Sequence, residues 1–301
     1  MRILVLGGTS EATALAALLA RRRDLDAVLS YAGRTAELKR QPVATRVGGF
    51  GGVDGLVGYL TEHGVDVVVD ATHPFAEQMS RHAAEAAART GVPLVALTRA
   101  AWTPVPGDRW VEVESLDAAA TAIGAKPRRV LLTVGRLGLK AFEAAPQHHY
   151  LIRSIDPPDE LGLPNAHVIL DRPPFDAGAE EALMRSERIQ VLVTKNSGGK
   201  ATSGKLAAAR ALGLPVVIVR QPARPDVPTV RDPAAAMRFI DTTGVARAAE
   251  RARDRAEAEA AAADHPVSPD GAVSPEGAVS PDGAGSPDGT PDPDTGADRG
   301  V

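Results

Sequence analysis

The sequence contains no cysteine. That removes disulfides, thiolate zinc sites, iron–sulfur clusters and a cysteine nucleophile, and it suits a reducing compartment. Aromatic residues make up only 3% of the chain, too few for the stacking platforms on which single-strand nucleic-acid binders hold bases. The formal net charge is −4, so no broad basic field steers the chain toward nucleic acid. Long apolar runs are missing too. The run between Arg2 and Gly7 is four residues, shorter than the apolar region of a signal peptide. Nothing approaches the ~18 apolar residues of a membrane span. The expectation is a cytoplasmic protein with neither a membrane nor a nucleic-acid partner. No H-E-x-x-H and no Walker A spacing occurs,. His148 and His149 are adjacent, so on a strand they face opposite ways and cannot chelate together; both are expected at the surface or half-buried, and no metal is expected.

What is present is alternation. At 301 residues the chain has room for roughly two domains of ~150 residues. Residues 2–6 are an apolar strand, and Ala12, Leu15, Leu18 and Leu19 then recur at helical spacing over 10–22,. Strands are expected at 27–30, 44–47, 65–69 and 93–97, with helices near 54–62 and 75–89. A second series follows, with strands at 110–113, 129–134, 150–155, 167–170, 190–194 and 215–219. Its helices fall near 115–123, 137–145, 178–188 and 200–212, and a last core helix at 232–240. Nearly continuous apolar strands separated by helices imply an α/β fold with parallel sheets. The expected organisation is a nucleotide-binding domain over 1–100, a second α/β domain over 101–242, and a tail over 243–301. In the tail, 246–262 is rich in Ala, Glu and Arg without an apolar stripe and reads as an exposed helix. A six-residue Val-Ser-Pro-Asp-Gly-Ala repeat begins at Val267 and reads as disordered, because so short a Pro/Gly period cannot bury a core.

The chemistry concentrates where strands meet helices. Residues 6–11 read L-G-G-T-S-E. Gly7 and Gly8 permit a tight turn and close backbone approach to a phosphate, and Thr9, Ser10 and Glu11 open a helix whose N–H groups attract anions. This is not the full G-x-G-x-x-G fingerprint, and an ordinary glycine turn with a helix cap is the alternative. The second strand ends in Ser-Tyr-Ala-Gly33-Arg34. There is no acid there to accept from a ribose 2′-hydroxyl, and the Arg34 guanidinium suits a 2′-phosphate, so NADP is favoured. D-A-T-H-P-F-A over 70–76 follows a buried strand, which places Thr72 and His73 toward a cofactor; His73 is a hydrogen-bond partner or a proton donor. The bond before Pro74 is a candidate for the cis form. Past another buried strand, Lys195, Asn196, Ser197 and Gly198, with Lys200 and Lys205, form an anion-holding candidate. Arg136 occupies a similar strand-end position, and Arg153 is a weaker candidate. Trp102 and Trp110 read as packing anchors.

Taken in order, these pieces resemble the precorrin-6A reductase (cobalt-precorrin-6A reductase) family. The resemblance rests on L-G-G-T-S-E, Gly33-Arg34, G-G-F-G-G over 48–52, D-A-T-H-P-F-A, T-V-G-R over 133–136, T-K-N-S-G-G-K-A-T-S-G-K-L over 194–206 and L-G-L-P-V-V-I-V-R over 212–220. It covers about residues 1–240. Arg220-Gln221-Pro222 departs from the family pattern, which has a basic residue before the proline. The resemblance implies two Rossmann-like domains with the active cleft between them. It also implies hydride transfer from NADPH to one double bond of a ring-contracted tetrapyrrole in cobalamin biosynthesis. On that view Gly7, Gly8, Thr9, Ser10, Glu11, Gly33, Arg34, Thr72 and His73 hold the cofactor. Arg136, Lys195, Asn196, Ser197, Gly198, Lys200 and Lys205 hold the substrate, and His73 and Lys195 are the catalytic candidates. Hand-over contacts with neighbouring pathway enzymes fit that setting; the oligomeric state is open. The competing readings are a nucleotide- or S-adenosylmethionine-dependent transferase, which Arg34 disfavours, and a non-catalytic NADP sensor.

Overall fold

The computed structural model describes residues 1–33, 40–158 and 160–263. Residues 1–256 form one compact unit; of the second unit, 257–301, the described part is the end of a helix. The repeat expected to be disordered lies outside the described residues.

The first half of the chain builds β1 (Arg2–Leu6), α1 (Ser10–Leu19), β2 (Asp26–Tyr31), β3 (Ala44–Val47), α2 (Gly52–Glu62), β4 (Val67–Asp70), α3 (Glu77–Thr90) and β5 (Leu94–Leu97). The second builds β6 (Arg109–Val113), α4 (Leu116–Ala122), β7 (Arg129–Thr133), β8 (His149–Ser154), β9 (Ala166–Leu170), α5 (Ala177–Ser186), β10 (Val191–Lys195), α6 (Gly204–Ala211) and β11 (Pro215–Val219). The chain then returns through β12 (Thr229–Val230) and α7 (Pro233–Phe239), and α8 (Val245–Ala263) follows. Two six-stranded parallel sheets result, ordered β12-β5-β4-β1-β2-β3 and β6-β11-β10-β7-β8-β9. Each reverses its strand order at its centre, between β1 and β4 in one and between β7 and β10 in the other. In open α/β sheets ligands bind at such switch points, beyond the carboxyl ends of the strands.

Local sequence explains the elements. In β1 Ile3 to Leu6 are at most 2% exposed, as burial on both faces requires. α1 buries Ala12, Leu15, Ala16 and Leu19 at helical spacing, and Thr9 caps it by accepting from the Ala12 N–H at 3.2 Å,. Each sheet carries a core cluster on either face.

Several expectations need correction. The last stretch assigned to the second domain does not pack there. β12 pairs with β5 in the first sheet, and Ala236 and Ile240 join the core beneath α1. The expected helix over 137–145 is a 3₁₀ segment, Arg136–Ala144, entered through Gly135 at φ +77°. α6 begins at Gly204 rather than near 200, because Gly198 and Gly199 hold left-handed turns before it,. The cis peptide among the described residues is Pro173–Pro174, not the bond before Pro74. His148 is fully buried: its Nδ1 accepts from the Arg128 N–H at 3.2 Å and its ring meets Tyr150 edge-on. Half of α8 is also tied down, Arg247 donating to the Thr90 carbonyl at 3.1 Å and Arg251 to Asp66 at 2.7 Å. No helix among the described residues is long and apolar enough to cross a membrane.

Candidate active site

A cavity of about 730 Å³ lies where the carboxyl ends of both sheets converge, within the size range of small-molecule sites. The first sheet contributes Gly8, Thr9 and Ser10 after β1, His73 after β4 and Arg99 after β5. The second contributes residues 133–137 from the end of β7 onward, Ser154 to Asp156 from the end of β8, Lys195 at the end of β10 with Ser197 after it, and Lys205 from α6.

On the first side the glycine turn is open. At Gly8, φ is +126° and a Cβ would meet nothing within 4 Å, so the backbone faces the cavity directly. At Gly7 a Cβ would lie 2.7 Å from Leu29 Cδ1, so that glycine lets the turn sit on β2. Gly8, Thr9 and Ser10 line this space, so the N-terminal end of α1 opens onto it. Thr9 and Ser10 are otherwise engaged. Thr9 Oγ1 donates to the Ala71 carbonyl at 2.8 Å, which bolts the β1 turn to the β4 turn, and Ser10 Oγ donates to Glu11 Oε2 at 3.0 Å. Glu11 faces Arg99 at 3.7 Å. Gly33 stands at φ +74° at the end of β2; Arg34 lies outside the described residues. Arg46, at the end of β3, donates to Ser30 Oγ at 2.8 Å and to the Gly48 carbonyl, with its guanidinium 3.9 Å over Phe50.

Thr72 and His73 part company. Thr72 is buried and turns back, its hydroxyl donating to Asp70 Oδ1 at 2.6 Å, so it does not line the cavity. His73 does. Its Nδ1 accepts from the Phe75 N–H at 3.2 Å, which assigns the remaining proton to Nε2,. Burial, followed by the nearby cations Arg99, Lys195, Lys205 and Arg224, pushes the ring down to about 3. Its neutral form is therefore the resting one.

The other side is cationic. Arg136 and Lys195 line the cavity, and the Lys195 ammonium sits 5.4 Å from the Phe75 ring. Lys205 is 4% exposed, 5.2 Å from the Trp102 ring, and burial pushes it down to about 7. Arg153 lines the wall as well, but both its Nη atoms are held by Glu180, one of them at 2.9 Å. Asn196 and Lys200 are not brought to the cavity. Asn196 clamps the backbone of Trp102, accepting from its N–H at 2.7 Å and donating to its carbonyl at 2.9 Å, and Lys200 is exposed. Gly198 is a close-packing position, where a Cβ would lie 2.2 Å from the Ala100 carbonyl oxygen.

Sequence reading missed Arg99 and Arg224. Arg99 follows β5 at a strand's carboxyl end, and the rule that drew attention to His73 applies to it equally. Arg224, on the return to β12, lies 3.7 Å from Asp70, and its guanidinium nitrogens are buried without a hydrogen bond among the described residues. Nothing periodic marks it.

The family model described as "Precorrin-6x reductase CbiJ/CobK" matches residues 2–241. The chain belongs to the precorrin-6x reductase family. Its relatives agree. A precorrin-6A reductase from Sinorhizobium sp is 53% identical over 230 residues, 76% of this chain and 88% of the relative. One from Rhodococcus erythropolis is 50% identical over 243 residues, 80% of this chain and 98% of the relative. A cobalt-precorrin-6A reductase from Priestia megaterium is 31% identical over 232 residues, 73% and 90% of the two chains. The solved structure titled "CobK precorrin-6A reductase" superposes with a TM-score of 0.77 at 50% identity, covering 81% of this chain and 97% of its own. Membership in a reductase family sets aside the transferase and the sensor.

Proposed function

We propose that this reductase uses NADPH to saturate one double bond of precorrin-6A in cobalamin biosynthesis. One observation carries the reading: a glycine turn at a helix N-terminus, with Arg99 beside it, and a wall of Arg136, Lys195 and Lys205 from the second sheet line one cavity. The turn fits the phosphates of a dinucleotide, whose anionic oxygens need N–H donors and an open approach such as Gly8 gives. The wall fits a tetrapyrrole carrying many carboxylates, each of which needs a cation or an N–H donor when desolvated.

The residues divide the work. Gly7 and Gly8, with the first turn of α1, hold the pyrophosphate, and Gly33 and Arg34 receive the 2′-phosphate. No carboxylate stands at residues 30–33, which favours NADPH over NADH, and Arg46 beside Ser30 adds positive charge there. His73 donates from Nε2–H to the ribose or the carboxamide; as a neutral ring it orients rather than protonates. Lys195, Arg136 and Ser197 hold substrate carboxylates. When bound, the nicotinamide supplies a hydride. Relatives named for the cobalt-free substrate are 44–53% identical, those named for the cobalt form 30–32%, so the metal-free tetrapyrrole is the favoured substrate.

The test is anaerobic incubation of protein, NADPH and precorrin-6A. A product heavier by two hydrogens, with matching loss of NADPH absorbance, is expected. Unchanged tetrapyrrole in the presence of bound NADPH refutes the reading.

A further inference from the structure

Saturating a carbon–carbon double bond takes a hydride at one carbon and a proton at its neighbour. A general acid must hold that proton, and its efficiency peaks when its pKa lies near the working pH. The cavity offers few such groups. His73 rests neutral, with its Nδ1 already accepting from Phe75. Arg99, Arg136 and Arg153 keep their protons throughout the accessible range, and Lys195, only half-buried beside the Phe75 ring, is already assigned to a substrate carboxylate.

Lys205 differs from all of these. It is the second residue of α6, lines the cavity and is 4% exposed. Its Nζ has no hydrogen-bond or ion-pair partner among the described residues; its neighbour is the Trp102 ring, at 5.2 Å. The charged groups facing it are Arg153 from β8, Glu180 from α5 and Arg99 from the loop after β5. Glu180 alone favours its charge, and Arg153 already holds both Glu180 oxygens. The N-terminal end of α6 opposes a cation as well. Burial and these neighbours bring the amine down to about 7, so protonated and neutral forms coexist near neutral pH.

We propose that Lys205 is the proton donor of the reduction, its Nζ passing a proton to the tetrapyrrole carbon adjacent to the one that receives the hydride. The hydride, supplied by the reduced nicotinamide, brings its electron pair to the first carbon. The π pair of the double bond takes the proton at the second. Nζ keeps the pair of its broken N–H bond as a neutral amine and regains a proton from solvent. The tetrapyrrole gains two electrons and the nicotinamide loses them. This step rests on the reading above of substrate and cofactor.

Lys205→Arg separates a proton donor from an anion contact, because a guanidinium holds carboxylates but does not give up its proton. For K205R the expectation is a precorrin-6A affinity within about threefold of wild type and a turnover number lower by roughly 10²–10⁴-fold. Lys205→Ala should regain turnover in proportion to added ethylamine, which a positioning role would not show. In the protein without ligands, the ¹³C-labelled Lys205 side chain, identified by its loss in K205R, should titrate by NMR near neutral pH. Turnover of K205R within tenfold of wild type, no rescue of K205A by amine, or titration of Nζ above pH ~9 each overturns the proposal. Wild-type protein is assayed alongside. If it fails to turn over, the reading of substrate and cofactor falls together with the proposal; if it turns over as fast as K205R, the proposal alone falls.

Discussion

The pair Arg153–Glu180 is the most enclosed ion pair among the described residues, with both side chains 4% exposed. Both Nη atoms of Arg153 engage the two carboxylate oxygens, and the guanidinium also lies 3.7 Å over the Phe175 ring. Arg153→Met keeps the length of the side chain and removes the charge, leaving the Glu180 carboxylate buried without its partner. Breaking such a pair from one side costs about 3–5 kcal/mol, a large part of a total stability of about 5–15 kcal/mol. At about 2–4 °C per kcal/mol for a unit of this size, the melting temperature should fall by roughly 6–20 °C. Replacing both, Arg153→Met with Glu180→Leu, removes the stranded charge and should return to within about 1.5 kcal/mol of wild type. Urea unfolding followed by circular dichroism, run as a double-mutant cycle, measures the difference. A single variant that loses less than about 1 kcal/mol, or two losses that simply add, would falsify the reasoning that desolvation dominates this pair. The same pair sets the field at Lys205, where Arg153 lowers and Glu180 raises the proton affinity. The two single variants should therefore move the Lys205 titration in opposite directions.

Four other outcomes are expected. Gly8→Ala puts a side chain where φ is +126°, a strained conformation costing about 1–3 kcal/mol; calorimetry should show NADPH affinity reduced while tetrapyrrole affinity is kept, and an unchanged NADPH affinity would remove the turn from the cofactor site. Arg34→Ala should raise KM for NADPH far more than for NADH, and equal effects would remove the 2′-phosphate assignment. Lys195→Ala should weaken tetrapyrrole binding with little change for NADPH; the reverse pattern would move that loop to the cofactor side. Lys205→Met should stabilise the fold at pH 7 by roughly 2–4 kcal/mol. The sign follows from its amine, which lies near 7 in the fold and 10.5 when exposed: between those values the unfolded chain binds more protons, so wild-type stability rises with pH and the gap should close toward pH 10. A gap that is constant with pH contradicts the buried, depressed amine.

Both parallel sheets were legible because β1, β4, β5, β7, β10 and β11 are short, mostly apolar runs buried on two faces and separated by helical patterns,. β12 was not legible. Two residues, Thr229 and Val230, carry no period, and only the open edge of β5 makes them a strand. The strand ends that line the cavity were legible through one rule, that ligands in open α/β sheets bind beyond the carboxyl ends of the strands,. The use of each side chain there was not. Thr72 and Asn196 occupy the right places and serve internal partners, Asp70 and the Trp102 backbone, which come near only once the chain has folded. Arg153 gives no hint of Glu180, 27 residues further on.

The return of the chain through residues 220–230 gives the molecule a particular assembly schedule. The edge strand next to β5, and the α7 residues that cover Ile3 and Val5 from below, are made only after the whole second sheet has been synthesised. On the ribosome the earlier sheet waits, one border bare and part of its core uncovered, until about 240 residues have emerged. A fragment ending near residue 100 therefore lacks the strand that pairs with β5 and the α7 residues of its core, and the two sheets are joined by two connections, one outgoing and one returning.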